Sequence, residues 1–287
     1  MAASTKRPVL LSAPGLLFLI GFMLVPLLMA GALSFQVYEQ GVGPTSDYTF
    51  ANYLQIVTDS YYLRIFGRTL FLALTVSVIC VVIGAPEAYF LHRMRPKWKA
   101  FCLVIVLGPL MISVVVRTLG WALMLGRNGV VNDVLLWLGI VDFPIRMLYS
   151  MTAVVIGSVH VLVPFMVIAV WASLQRLDPR VTLAAASLGA TPSVTFRRVI
   201  LPAIIPGILS GSLIVFALSA SSFATPAILG GRQIKVFTTA IYDEFLIKLN
   251  WPVGAALAVC LFIVNVVATS SYNRILERRF GRHTNES

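Results

Sequence analysis

The sequence predicts an all-α membrane protein with six transmembrane helices, and three observations predict it. Charged residues are only 11% of the 287-residue chain and hydrophobic ones 59%, whereas a soluble domain carries roughly 25% charged residues. Six apolar runs, at about residues 10–33, 66–91, 101–125, 151–174, 205–229 and 253–272, are each long enough to cross ~30 Å of hydrocarbon. The loops between them carry basic residues unevenly. A backbone in hydrocarbon must satisfy its own hydrogen bonds, so each run reads as a helix. The whole of residues 1–287 then forms one transmembrane domain.

The first run follows Lys6 and Arg7, and MAGA at 29–32 resembles a signal-peptide cleavage site. Its apolar core exceeds the roughly 7–15 residues of a cleaved signal, so it reads as a retained span. In the loop after it, DYTFANYLQIV (47–57) reads as a short interfacial helix. The second run carries Glu87 near one end. The third is followed by Arg127-Asn128-Gly129, a turn signal. VVNDVLLWLGI (130–140) is too short to span and reads as an interfacial or re-entrant helix. The fourth holds His160 one turn before Pro164. The fifth shows a small face, Gly207-x3-Gly211 with Ser210 and Ser212, of the kind that lets helices approach closely or lines a path.

Placing both termini in the cytoplasm puts fourteen Lys and Arg residues inside and eight outside, the asymmetry expected of cytoplasmic loops. The net charge of +11 then reflects this sorting and not a nucleic-acid partner. Cys80, Cys102 and Cys260 fall inside apolar runs without metal-ligand spacing and read as buried thiols. No GxxxxGK[ST] phosphate loop occurs, so the chain cannot hydrolyse ATP by that route. Acid, base and nucleophile candidates do not cluster, which argues against an enzyme.

The longest inner loop, 175–204, is patterned. LAAASLGA (183–190) favours helix, and Gly189 can end it in the left-handed region. Thr191-Pro192 is a cap followed by a first-turn proline. Phe196, Val199 and Ile200 then share one face while Arg197 and Arg198 point away. Pro202 and Pro206 are expected to end the element and redirect the chain into the fifth span. Such a helix–turn–helix is either a basic membrane-surface helix or a docking element for a cytoplasmic protein.

The pattern AA-x3-GA-x5-F-x2-V-x-LP-x3-PGI over Ala184–Ile208 resembles the "EAA" loop of inner-membrane permeases of binding-protein-dependent ABC importers, the type I (MetI-like) fold. The resemblance implies that 175–204 is the coupling element seated in a cleft of an ATPase subunit. Ala184, Ala185, Gly189, Ala190, Phe196, Arg197, Arg198, Leu201, Pro202, Pro206 and Gly207 would be its residues. It implies two ABC ATPase subunits holding ATP and Mg, with no cofactor bound by this chain. A second homologous permease in a heterodimer and a periplasmic substrate-binding protein are also implied, all at a bacterial inner membrane. Stretches 116–132, 135–167 and 250–256 are similar to spermidine/putrescine importer permeases, which implies a polyamine cargo. An opine, an amino-acid derivative or an organophosphonate is the alternative cargo. A stand-alone ion-coupled transporter is a further rival, although it has no use for a docking loop. Three positions depart from the pattern: Leu183 stands where glutamate is usual, His160 where tyrosine is frequent, and Glu87 where an apolar residue is usual.

Several residues carry two readings. Glu87 is an intramembrane charge, a functional candidate that either reaches the interface, pairs with a loop arginine, or braces the coupling loop. His160 is a hydrogen-bonded structural group or part of a path. Trp121, one turn from Arg117, is an interfacial anchor or lines the path. Phe216 and Phe223 could offer ring faces to an ammonium or simply pack. Asp243 and Glu244, in YDEF, are the acidic pair best placed to meet a cation from outside, or are solvated loop charges.

Overall fold

A computed structural model describes residues 6–280. The two termini, and Arg282 with them, lie outside the described residues. The chain forms two compact units: residues up to Leu63 together with Ala240–Ile263, and Arg64–Thr239 together with the chain from Val264 onward.

The first unit begins with α1 (Lys6–Leu33), whose apolar stretch Pro14–Leu33 is long enough to cross a membrane. Next come β1 (Gln36–Glu39) and β2 (Gly43–Tyr48), paired antiparallel with Gln36 opposite Tyr48 and Glu39 opposite Gly43. This small hairpin sits in a chain that is otherwise helical, as expected. Gly41 and Gly43, at φ 90° and 101°, turn the chain where residues with a Cβ would be strained. The expected interfacial helix is α2 (Ala51–Thr58). Buried Asn52 ties it to the hairpin by donating to the carbonyls of Ser34 and Gln36, both at 2.9 Å.

The second unit contains most of α3 (Ser60–Arg93), a single helix long enough to span. The third apolar run departs from expectation. It forms α4 (Pro96–Leu107), a 3₁₀ turn at Gly108–Met111, and α5 (Val114–Met124), with a bend of 96° between the halves. Ile112 and Ser113 turn extended, at ψ 138° and 134°, after the turn that holds Pro109, whose missing N–H cannot serve a longer ladder. The described residues therefore offer five straight spans, and six when this broken pair counts as one.

Helix α6 (Val130–Trp137) matches the short amphipathic element. Buried Asn132 donates to the carbonyls of Gly126 and Ile145 and accepts from the Ile145 amide, which fixes the return loop. Helix α7 (Met151–Gln175) is buried over more than half of its apolar stretch. After it come α8 (Pro179–Ser187), α9 (Pro192–Thr195), a π turn at Phe196–Ile200 and α10 (Leu201–Ala220).

Pro202 and Pro206 do not end the element, as the sequence had implied. Pro192–Ala220 runs as one helical stretch. In a plain α-helix the Pro202 ring would clash with the Arg198 carbonyl. The wider π turn, with Leu201 N–H bonded to the Phe196 carbonyl, absorbs the misfit without breaking the helix. The span also stops at Ala220, short of 229; a π turn at Pro226–Gly230 follows. The chain ends through α11 (Phe237–Tyr242), a π turn at Asp243–Ile247, and α12 (Trp251–Phe280).

Packing in the second unit centres on α7. A Cβ at Gly207 would stand 2.5 Å from Ser173 Oγ and 2.7 Å from the Ala169 carbonyl oxygen; one at Gly211 would stand 2.7 Å from Met166 Sδ. The small face of the fifth span is thus pressed against the chain's own fourth. Gly84 of α3 meets the same Met166, with 2.9 Å from its would-be Cβ to Cγ. Leu72, Val76, Val167, Val170 and Val215 complete this core, each at most 1% exposed.

Overpacking a close helix contact costs on the order of 1–3 kcal/mol. Gly207→Val is therefore expected to lower the thermal unfolding midpoint in detergent by several degrees. Gly21→Val, where nothing lies within 4 Å of the added methyls' attachment point, is expected to leave it unchanged. Equal midpoints for the two would contradict the α7–α10 contact.

Candidate functional site

The 175–204 segment is built as its local chemistry dictates. Asp178 caps α8 by accepting from the Arg180 amide at 2.9 Å, with Pro179 in the first turn. The helix closes in a Schellman arrangement: Gly189 N–H bonds the Ala186 carbonyl and Ala190 N–H the Ala185 carbonyl, while Leu188 N–H bonds Ala184. Gly189 sits at φ 79°, a conformation other residues adopt only with strain. Thr191 Oγ1 then accepts from the Val194 amide, and Pro192 opens α9.

The segment is fixed to the bundle by apolar contact. Phe196 meets Tyr89 of α3 edge to face, with centroids 5.2 Å apart, and Ile200 is buried in the core. A cleft of about 390 Å³ lies between the segment and the ends of α3 and α7, lined by Tyr89, His92, Arg93, Thr182, Ala190 and Pro192. Arg197 and Arg198 face away, exposed, as the sequence predicts. Leu183 and Leu188 also point outward, 67% and 87% exposed. Ala184, Pro202 and Pro206 are exposed, and Ala185 and Leu201 are half-buried. Gly207 is buried on Ser173 and so serves packing rather than the outward face.

The second assembly lies within the spans. A cleft of about 590 Å³ is lined by Glu87 of α3, Trp121 of α5, and His160 and Pro164 of α7, among aliphatic side chains. The Trp121 and His160 rings meet edge to face at 5.7 Å. The structure thus brings together three residues that the sequence could only treat singly. Glu87 makes no ion pair or hydrogen bond with any described residue, so it does not brace the 175–204 segment. Arg117 has Nε and Nη1 shut off from solvent with no hydrogen-bond partner among the described residues. Phe216, half-buried on α10, and Phe223, exposed beyond it, do not line the cleft.

The YDEF pair is a correction. Glu244 is 2% exposed. It accepts from Tyr62 Oη at 2.9 Å and from Lys248 Nζ at 2.6 Å, so its charge is spent inside its own unit and is not offered to a solute. Partial burial pulls the Lys248 ammonium pKa down, but the hydrogen bond and charge of Glu244 outweigh it and leave the group above its ordinary value. Asp243 beside it is half-buried.

Sequence reasoning missed Tyr89, Tyr62 and Asn132. None carries a local signal: Tyr89 becomes informative only once α3 and the Phe196 turn are side by side. Lys248 could have been paired with Glu244 from the i, i+4 spacing, had the stretch been read as helical.

Glu244→Gln removes the charge on which Tyr62 and Lys248 converge. Losing charged hydrogen bonds at a buried acceptor costs on the order of 1–3 kcal/mol, and a lowered unfolding midpoint in detergent checks it. A midpoint equal to the parent's would mean that the network contributes nothing.

Residues 100–282 match the family of binding-protein-dependent transport system inner membrane components. The chain is 32% identical over 265 residues to the spermidine/putrescine transport system permease protein PotB of Haemophilus influenzae, covering 91% of this chain and 92% of that one. It is 33% identical over 247 residues to PotB of Escherichia coli K12, covering 86% and 90%. In three dimensions it is similar to a chain of a bacterial ABC transporter involved in the import of the acidic polysaccharide alginate. There the TM-score is 0.77 at 22% identity, over 96% of this chain and 97% of that chain. At that identity the likeness speaks for the fold, which is the type I importer fold. With the patterned 175–204 segment and its spans, the chain belongs to the binding-protein-dependent ABC importer family, as an inner-membrane permease component.

Proposed function

We propose that the chain forms half of the translocation path of an ATP-driven importer for a small organic cation of the spermidine/putrescine kind. A homologous permease supplies the other half, two ATPase subunits drive the pair, and a periplasmic binding protein delivers the solute. The 175–204 segment is the docking lever, and residues 183–202 meet the ATPase. The polyamine assignment is supported by the likeness to the two PotB proteins.

One observation carries the mechanism: the lever is continuous with the fifth span. Pro192–Ala220 is a single helical stretch, pinned by Phe196 to α3 and by Gly207 and Gly211 to α7. A push on α8 and α9 therefore moves helices rather than bending a loop. ATP binds the closed motor more tightly than the open one. That difference in affinity biases two packed arrangements of the bundle, one open to each side. Hydrolysis resets the inward-facing arrangement.

The exposed Leu183 and Leu188 replace an ionic contact with an apolar one. Their burial in an ATPase cleft contributes at roughly 25 cal/mol per Å² of apolar area. Arg117 favours a second reading, because a guanidinium whose Nε and Nη1 have no hydrogen-bond partner among the described residues suits an acidic solute such as an opine or organophosphonate better than a polyamine.

The experiment is reconstitution of the chain with its ATPase, partner permease and binding protein in proteoliposomes. Spermidine uptake is expected only with ATP inside the ATPase compartment and with all subunits present. Accumulation by this chain alone would overturn the proposal. Thermal shift of the binding protein against spermidine, putrescine and an opine separates the two cargoes. Gly189→Val, at a positive φ that a β-branched residue resists, is expected to lower uptake and binding-protein-stimulated ATP hydrolysis together, by about tenfold or more.

A further inference from the structure

Resting on the reading of a cation importer, we infer that the cleft between α3, α5 and α7 is the cation's subsite within the membrane, with Glu87 as its counter-charge. The ligand class is an extended alkylammonium: a di- or polyamine whose methylene chain lies on aliphatic walls.

The chemistry of the lining carries this. Ile79, Ile83, Val155 and Val159 make the wall apolar, which suits methylenes. The polar groups are few and unlike: a carboxylate at Glu87, an imidazole at His160 and an indole at Trp121. A carboxylate attracts an ammonium by charge, an indole face attracts it through the ring quadrupole, and an imidazole nitrogen can accept its proton. Glu87 has no hydrogen-bond or ion-pair partner among the described residues, and an ionised carboxylate left against lipid is costly. In this reading an ammonium in the cleft supplies the counter-charge that Glu87 lacks.

Size and shape agree. On α3 the lining residues Ile79, Ile83 and Glu87 fall one turn apart, so this wall is about 12 Å long at 1.5 Å per residue, close to the extended length of a triamine such as spermidine. The cleft volume lies within the roughly 300–1,000 Å³ usual for small-molecule sites. Glu87 also lines a second groove, of about 440 Å³, that runs on past Phe90 to Met94 at the lever end of α3. The carboxylate thus stands where two grooves join, in position to take an ammonium from one and release it to the other. Arg117 does not line the cleft.

The test uses the intact reconstituted importer. Dicyclohexylcarbodiimide, an apolar reagent for carboxyl groups, is applied with and without millimolar spermidine, and modification of Glu87 is read by peptide mass spectrometry. Spermidine is expected to slow modification by about fivefold or more. Glu87→Gln is expected to raise the KM for spermidine uptake about tenfold, the factor worth ~1.4 kcal/mol of lost binding. Glu87→Asp, which keeps the charge, is expected to restore most of it. Assembly of each variant is checked by co-elution with the ATPase subunits. Uptake of spermidine with no protection of Glu87, or with an unchanged KM in Glu87→Gln, overturns this inference alone. Glu87 that reacts in the isolated permease but not in the solute-free importer is covered by the partner permease, which also overturns it. An importer that takes up no spermidine at all overturns the polyamine reading as well.

Discussion

Met166 lies in a notch between Gly84 of the second span and Gly211 of the fifth, and the rest of the larger unit is arranged around that contact. Between helices in hydrocarbon there is no hydrophobic drive, because lipid tails are as apolar as leucine. What holds such helices is close approach, and close approach needs residues without bulk. Glycine on two helices and an adaptable thioether on the third supply it. The Ala169 carbonyl and Ser173 continue the same seam one and two turns further along α7, against Gly207.

That seam explains how a short loop could act on a membrane bundle. The fifth span and the 175–204 segment share one helical stretch, and the seam grips it within two turns of the π turn. Phe196 on Tyr89 adds a second point of attachment. In the proposed machine, a displacement of the lever is therefore shared by α3, α7 and α10 and is not lost in a flexible joint. The π turn has a specific job in this arrangement. It admits Pro202 without a break, so the helix continues where the sequence alone predicts an end.

Much of this was legible in the sequence. Span positions follow from length and composition, since hydrocarbon thickness admits few alternatives. The cap at Thr191, the proline after it and the left-handed Gly189 are local chemistry and were readable residue by residue. The errors have physical causes. The break in the third run at Ile112–Ser113 lies inside an apolar run, where hydropathy is blind to a bend; Gly108-Pro109 was the one local breaker signal there. Pro202 reads as a stop because local rules do not foresee a compensating π turn. The hairpin at 36–48 is too short and polar to show a period-two pattern. Glu244 looked solvated because its partner Tyr62 is distant in the chain. For the same reason Glu87, Trp121 and His160 could be nominated singly but not as one cleft: they come from three helices.

In the proposed machine Pro192–Ala220 moves as one rigid lever. Spin labels at Ser193 and Leu218, both exposed, allow the distance along it to be measured by pulsed electron resonance in the assembled importer. The measurement is made without nucleotide and again with the ATPases trapped closed. The distance is predicted to hold within about 2 Å between the two states, the scale of small helix shifts, while Ser193 changes its separation from a label on the opposite lever. A change along the stretch that exceeds this, with the levers closing, would mean that the chain hinges at Pro202 or Pro206 and would contradict the account.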